Sequence, residues 1–233
     1  MLIGQDYPKL DFYIGKLHLL EPNGTITDLL MAALSFYFAI SLQKVKNKDV
    51  FTRMWTAFFL LHGLSSFFGA LGHALYVYWG IYGKMATFIS SVLSIYAIEK
   101  AFIDQLENTS QRTLFEKIAF WKIPSIYLAI VLICLLSDVS LKPERPFLPV
   151  AINTIVGVVF SAGYLAYTFS KSKNAIYRNF YWGVMVILPS AFFFLLKINP
   201  FPWFDKNDFS HVFMCGGITL FYIGVKKRLQ LNT

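Results

Sequence analysis

The chain contains few charged residues and few cysteines. Of its 233 residues only 15% are charged, against about 25% in an ordinary soluble domain. Its two cysteines are too few for a disulfide scaffold. The sequence also has no phosphate-binding loop and no arginine-rich voltage-sensor helix. Because 56% of the residues are hydrophobic, the chain is not a disordered protein, whose apolar content is low.

Long apolar segments take up most of the chain. A membrane-spanning helix needs roughly 20 predominantly apolar residues, and seven segments approach that length. The strict polar–apolar alternation of a membrane β-barrel is absent from the sequence. We therefore predict an all-α, polytopic membrane protein with seven transmembrane helices. The predicted spans are 26–43, 54–79, 84–103, 118–137, 147–170, 179–198 and 208–225.

The short connections predict a single domain. Charged residues between Asp6 and Lys16 interrupt the apolar run that a signal peptide needs, so we expect the N-terminal segment to stay on the membrane surface. Thr25 or Thr27 is expected to cap the first helix. The predicted parts are an extracytoplasmic N-terminal segment, 1–24, a seven-helix transmembrane domain, 25–228, and a cytoplasmic tail, 229–233.

The net charge of +8 predicts the direction of the chain in the membrane. Fourteen of the 21 basic residues fall on the first, third and fifth connections and the C-terminal tail. Cytoplasmic loops are enriched in lysine and arginine, so we predict that the N-terminus lies outside and the C-terminus in the cytoplasm. This distribution explains the charge without a nucleic-acid partner. The expected location is a bacterial inner membrane or another cell membrane, and the expected partner is the lipid bilayer.

Ionisable residues inside the spans are the functional candidates, because burying each of them in lipid costs at least a few kcal/mol. The predicted directions of helices 1, 2 and 7 place Asp28, His73, Asp208 and His211 at a similar depth on the outer side. His62 falls near the middle of helix 2, where we expect an interhelical hydrogen bond.

Two histidines with carboxylates are typical ligands of zinc. We expect His73, Asp208 and His211 to hold the metal, while Asp28 is a fourth ligand, a partner of a ligand or a general base. The hydroxyl of Ser66 lies deeper on the same face of helix 2. A zinc-bound water is a strong nucleophile at neutral pH, so the residues suggest a metal-dependent hydrolase of a lipid or amphipathic amide or ester.

The same residues allow other interpretations. They could bind a ligand without catalysis, as in a seven-helix sensor, or form the proton relay of a small transporter. They could also be structural, since Asp28 and Asp208 are acids near helix N-termini, where the helix dipole favours them. The sequence predicts no particular oligomeric state.

Three further residue types carry predictions about packing. Gly63, Gly69 and Gly72 make helix 2 thin, and a glycine pair does the same for helix 7, so we predict that these two helices pack together. We interpret Lys122 as a residue near a helix end whose ammonium reaches the interface. Glu99 is interpreted as an interfacial residue.

The arrangement resembles the CREST superfamily of seven-helix membrane proteins, which includes the alkaline ceramidases and the progestin and adipoQ receptors. His73 matches the histidine near the end of helix 2 in that family, and His211 matches one of two helix 7 histidines. The resemblance implies a zinc ion that hydrolyses a lipid amide. The stretch from Asn207 to His211, with Gly72 and His73, also looks like a group of uncharacterised bacterial seven-helix proteins.

The sequence departs from the CREST pattern at several positions. The family's serine four residues before the helix 2 histidine is Gly69 here, and helix 3 begins at Lys84 without the family's aspartate. Asn207 and Cys215 stand where a second helix 7 histidine would be. These departures leave His73 and His211 as the residues that carry the resemblance.

Overall fold

The computed structural model describes residues 1–231, which fold into a helical bundle. Seven helices in this part of the chain are long and apolar enough to cross a membrane, which confirms the predicted all-α, seven-helix membrane protein. They are α1 (Pro22–Gln43), α2 (Val50–Ala74), α3 (Met85–Ile103), α4 (Thr109–Leu136), α5 (Leu148–Val158, the π-helix Val159–Leu165 and Ala166–Ser172), α6 (Arg178–Leu195) and α7 (Lys206–Leu231). Short helical turns precede α3, α5 and α6 at Tyr76–Trp79 and Gly80–Lys84, Arg145–Phe147, and Ala175–Tyr177.

Several helices extend beyond the predicted apolar segments, and α4 shows why. It begins at Thr109 because the side chain of Asn108 accepts a hydrogen bond of 3.0 Å from the backbone N–H of Gln111. This is the contact that starts a helix. The first turns then carry charged residues, including Arg112 and Glu116 at 3.3 Å. An apolar-length criterion finds only the later part of such a helix.

The N-terminal segment forms a small β-hairpin that the sequence analysis did not predict. β1 (Asp11–Ile14) pairs antiparallel with β2 (Leu17–Leu20). Gly15 lies between them with a φ of 62°, a left-handed conformation that favours glycine. We call this end of the bundle the hairpin end, formed by residues 1–21 and the connections 75–84, 137–147 and 196–205. The other end, with the connections 44–49 and 104–108, is the basic end. That the hairpin end faces outwards stays a prediction.

The glycines of α2 and α7 do not face each other, so they are not what joins these two helices; the helices meet through aromatic rings instead, such as Trp55 and Phe221 at 5.2 Å. The closest side chains to Gly63 and Gly69 belong to α1, and a Cβ at Gly63 would lie 2.7 Å from the ring of Phe36. Gly217 of α7 instead lies against Ile187 of α6. The small residues therefore bring α1 close to α2 and α6 close to α7. The spacing of the glycines shows which face of a helix allows a close approach, but it does not show which neighbouring helix packs there.

A dense aromatic core joins the helices towards the basic end. The ring of Trp55 is fully buried and lies 5.0–5.2 Å from the rings of Phe180 and Phe221. Phe102 of α3 packs against Phe180 at 5.4 Å. Such ring pairs contribute about 0.5–1.5 kcal/mol each beyond simple burial. This core fixes the basic end, while the hairpin end encloses a cavity.

Candidate functional site

A cavity of about 770 Å³ lies between the helices and reaches the hairpin end. Its walls come from α1, α2, α3, α5, α6 and α7. The wall nearest the hairpin end is polar, whereas the deeper wall is apolar. We call the polar residues at this wall the histidine cluster: Glu21, Asp28, His73, Lys84, Asp208 and His211. The apolar wall includes Phe58, Ile98, Val158, Ile218 and Phe221.

The two histidines meet at the carboxylate of Asp28. The Nε2 atom of His73 lies 3.8 Å from one carboxylate oxygen, and the Nε2 atom of His211 lies 3.6 Å from the other. Asp28 is only 4% exposed. Residues from α1, α2 and α7 thus converge on one point, as their predicted depth in the membrane suggested.

Gly69 gives Asp28 the space that it occupies. A Cβ atom at this position would lie 2.6 Å from a carboxylate oxygen of Asp28, closer than real side chains approach. The position is the one where the CREST pattern has a serine, and here the carboxylate from α1 takes that volume. Ser66 is buried one turn away and lines the cavity without approaching this carboxylate within hydrogen-bonding distance.

Glu21 orients the ring of His73. Its carboxylate accepts a hydrogen bond from Nδ1 of His73, which turns Nε2 towards Asp28. Glu21 has a φ of 52° and is the left-handed residue that precedes α1. Burial acts to raise the pKa of Glu21, but the hydrogen bond and charge of His73 and the charges of Lys84 and Lys9 outweigh it and hold the pKa below its usual range. A strained, ionised residue at such a place is typical of a functional site.

Thr27 orients the ring of His211. Its hydroxyl lies 2.8 Å from Nδ1 of His211 and 3.2 Å from the carboxylate of Asp208. Asp208 also accepts a 3.0 Å hydrogen bond from the backbone N–H of Asp205. Asp208 therefore reaches the histidine only through Thr27. Thr27 lies inside α1 and does not cap it, because the helix already begins at Pro22.

Lys84 adds a positive charge to the cluster. Its Nζ lies 3.3 Å from Nε2 and 3.4 Å from Nδ1 of His73. Gly72 permits this approach, since a Cβ there would lie 2.8 Å from the Lys84 side chain. The ammonium therefore stands beside both ring nitrogens of His73, the histidine that the CREST resemblance matches to a zinc ligand. A second cation bound at either nitrogen would be repelled.

The three zinc ligands that the sequence suggests, His73, Asp208 and His211, do not lie together as one group in this structure, and zinc binding stays a prediction. Within residues 1–231, no group of three or more His, Cys, Asp or Glu side chains has the spacing of a metal site. Asp208 bonds to Thr27 and to the backbone N–H of Asp205, and these bonds occupy both of its carboxylate oxygens. The nitrogens of the two histidines are 3.6–3.8 Å from Asp28, somewhat longer than the roughly 3.3 Å between neighbouring ligands of a tetrahedral zinc ion.

His62 lies outside this cluster and plays the role that its depth predicts. Its Nδ1 lies 3.0 Å from the hydroxyl of Ser35, which confirms the interhelical hydrogen bond. The functional residues that sequence reasoning missed are Glu21 and Lys84. Glu21 precedes a proline and looks like part of a turn, and Lys84 looks like the polar start of a helix. At neither position does the sequence indicate that the charged side chain contacts a histidine.

The first ten residues form a strap across the hairpin end; we use this name for residues 1–10. Leu2 exchanges two backbone hydrogen bonds of 2.8 Å with Asn199. The carboxylate of Asp6 contacts Nζ of Lys206 and lies 3.3 Å from Nζ of Lys197. Lys9 pairs with Glu21 at 2.8 Å. Because residues Asp6–Leu10 also line the cavity, the strap is part of its wall.

Comparison with known proteins identifies a family but no characterised relative. Neither the curated proteins nor the solved structures include one that matches this chain. One family model matches residues 24–230, which include every residue of the cluster except Glu21. The chain therefore belongs to that family, which is described as a family of unknown function (DUF6962).

Proposed function

We propose that this membrane protein binds an amphipathic molecule in the cavity of the helix bundle, as a non-catalytic ligand-binding or sensor protein. The observation that carries this proposal is the division of the cavity into a polar and an apolar part. Ligand sites are typically concave, mostly apolar and provided with a few convergent polar groups. A volume of about 770 Å³ falls in the range of such sites, roughly 300–1,000 Å³.

The charges of the cluster suggest how the ligand's polar group would be held. Asp28 is buried, and within residues 1–231 the only basic side chains within 4 Å of its carboxylate are the two histidines. Within the same described residues, the ammonium of Lys84 has hydrogen-bonding distances only to the ring nitrogens of His73. Both groups face the cavity. A polar headgroup that donates to Asp28 or accepts from Lys84 would satisfy them, and its chain would cover the apolar wall below.

The test measures how amphiphiles change the thermal unfolding midpoint of the purified protein. The probes carry the same long acyl chain and a cationic, an anionic or a neutral polar headgroup; a short-chain homologue of each is the comparison. We expect at least one long-chain probe to raise the midpoint in a saturable way, because binding to the folded state stabilises it. The short-chain homologue should have little effect.

Two variants of α7 locate the binding site. Met214 lines the cavity, so Met214→Trp should fill part of it and abolish the stabilisation. Val212 lies on the same helix but is 57% exposed on the outer surface, so Val212→Trp is the matched control and should keep it. Equal stabilisation in Met214→Trp, or no saturable stabilisation of the unmodified protein by any probe, would refute the proposal.

A metal-dependent hydrolase of a lipid or amphipathic amide or ester is the second candidate function. It is favoured by one observation: His73 and His211 each have Nδ1 held by a partner and Nε2 directed at one carboxylate. Histidine ligands of metals are usually oriented in this way. In this candidate Asp28 joins the histidines, and Ser66 lies beside the substrate in the cavity. Lys84 would first have to move away from His73.

Zinc analysis of the purified protein distinguishes the two candidates. The hydrolase predicts stoichiometric zinc in the unmodified protein and its loss in His73→Ala/His211→Ala. His18→Ala is the control, because His18 pairs with Asp11 in the hairpin and should leave zinc unchanged. Protein without zinc after purification in its presence would exclude this candidate and leave the binding proposal intact.

A further inference from the structure

A second buried polar cluster lies apart from the cavity, between α3, α4 and α5. The ammonium of Lys122 on α4 forms an ion pair with the carboxylate of Glu99 on α3. The Glu99 side chain is 8% exposed and that of Lys122 is 22% exposed. From the sequence, Glu99 is expected to be an interfacial acid and Lys122 a lysine that reaches the interface, whereas in the structure the two side chains pair inside the bundle.

Helix α5 supplies the third side of this cluster. Gly157 packs directly against Glu99, since a Cβ at Gly157 would lie 3.0 Å from the carboxylate. Asn153 and Ser161 lie four residues before and after Gly157, which places them on the same side of the helix. Both are at least 97% buried. From this shared helix face we group Asn153 and Ser161 with Glu99 and Lys122 as one cluster.

Several polar atoms of the cluster have no hydrogen-bond partner within residues 1–231. They are the second carboxylate oxygen of Glu99, both amide atoms of Asn153 and the hydroxyl of Ser161. An unsatisfied buried polar group is destabilising, so a stable protein normally provides such groups with a partner. Ser161 also lies in the π-helix Val159–Leu165, and π-helical turns occur frequently at functional sites.

Charge and position indicate what this cluster takes up. Lys122 already balances the charge of Glu99, so a bound metal ion would leave an uncompensated positive charge in a medium of low dielectric constant. Water is neutral and can both donate and accept. On one side of the cluster, Ile98 and Val158 belong to the cavity wall. On the other side, Lys100 pairs with Glu116 at 2.6 Å near the basic end.

We propose that the cluster of Glu99, Lys122, Asn153 and Ser161 holds water and exchanges protons between the cavity and the basic end. A proton that arrives through water forms an O–H bond at the free carboxylate oxygen of Glu99. The same proton then leaves to water on the other side, and Glu99 is ionised again. Lys122 is the charged group that faces Glu99 from α4, while α5 contributes Asn153 and Ser161, which do not titrate.

Proton flux into vesicles tests this proposal. The full chain is reconstituted into vesicles that contain a pH-sensitive dye, and a potassium diffusion potential drives protons inwards. We expect faster acidification than in protein-free vesicles. Glu99→Gln removes the protonatable oxygen and should lower the rate to that of protein-free vesicles. The control is Glu107→Gln, which removes an exposed carboxylate paired with Lys173 at 2.9 Å and should keep the unmodified rate.

A charge-neutral double variant keeps the test independent of misfolding. Glu99→Gln/Lys122→Met removes both charges, so no lone charge remains buried, and its proton flux should also be lost. The proposal is overturned if the unmodified protein transports no protons or if Glu99→Gln keeps the full rate. It is also overturned if the double variant recovers the flux, because the pair would then be structural. Equal loss in Glu107→Gln would likewise overturn it.

Discussion

The space that Gly69 leaves for Asp28 leads to a quantitative prediction. In Gly69→Ala the new Cβ would lie 2.6 Å from a carboxylate oxygen of Asp28, so the carboxylate has to move by several tenths of an ångström. Overpacking of this kind costs about 1–3 kcal/mol, while alanine recovers up to about 1 kcal/mol of helix propensity. We expect a net loss of about 1–2 kcal/mol, which lowers the thermal unfolding midpoint by roughly 2–8 °C in a chain of this length.

Two further variants separate the clash from other effects of the methyl group. At Gly24 of α1 the nearest atoms to a new Cβ lie at 3.6 Å, an ordinary contact, so Gly24→Ala should keep or raise the midpoint. In Gly69→Ala/Asp28→Ala the carboxylate is absent, and the loss caused by Gly69→Ala should largely disappear. Thermal unfolding of the single and double variants yields a coupling energy. Additive effects of the two substitutions, or a Gly69→Ala protein as stable as the unmodified one, would refute the assignment of this space to Asp28.

Three other predictions concern the strap, α1 and α2. Burial acts to raise the pKa of Asp6, but the hydrogen bonds and charges of Lys206 and Lys197 together lower it more; these contacts therefore stabilise the strap above the ordinary pKa of aspartate and are lost as the pH falls through the lowered value. Protection of the strap amides from hydrogen exchange, relative to the intrinsic rate at each pH, should stay high down to about pH 4 and fall below it, whereas Asp6→Asn should show low protection at every pH. Ser35→Ala removes the partner of His62 and should cost about 1 kcal/mol in thermal unfolding; an unchanged midpoint would argue against a contribution of this bond. Asp49 accepts from a backbone N–H at the start of α2, so Asp49→Ala should cost about 1 kcal/mol, and Asp49→Asn, which keeps the cap, should cost less.

The spans could be predicted from the sequence because lipid imposes a length and an apolar character on each helix. The hairpin could not, because β1 and β2 are four residues each and depend on a single glycine turn. The neighbours of the helices were equally inaccessible. Gly63 and Gly69 mark a close approach, but only the bundle shows that α1 makes it.

The candidate site, too, could be predicted from the sequence only in part. Asp28, His73 and His211 were expected at one depth because depth follows from residue number and helix direction, and the structure brings them together. The residues that orient the histidine rings and add charge beside them lie just before a helix or at the end of a helical turn. Glu21 reaches His73 through a left-handed backbone, and Lys84 reaches it at the end of a short helical turn. Hydrophobic periodicity carries no information about such positions.

The strap has a practical consequence for handling the protein. Leu2 is bonded to the connection between α6 and α7, and the residues that follow form part of the cavity wall. An affinity tag or fluorescent fusion attached before Met1 would therefore join the chain one residue from that bond. The α7 end of the chain lies at the opposite end of the bundle, so a C-terminal fusion leaves the mouth of the cavity undisturbed. Ligand and zinc measurements should use protein tagged there.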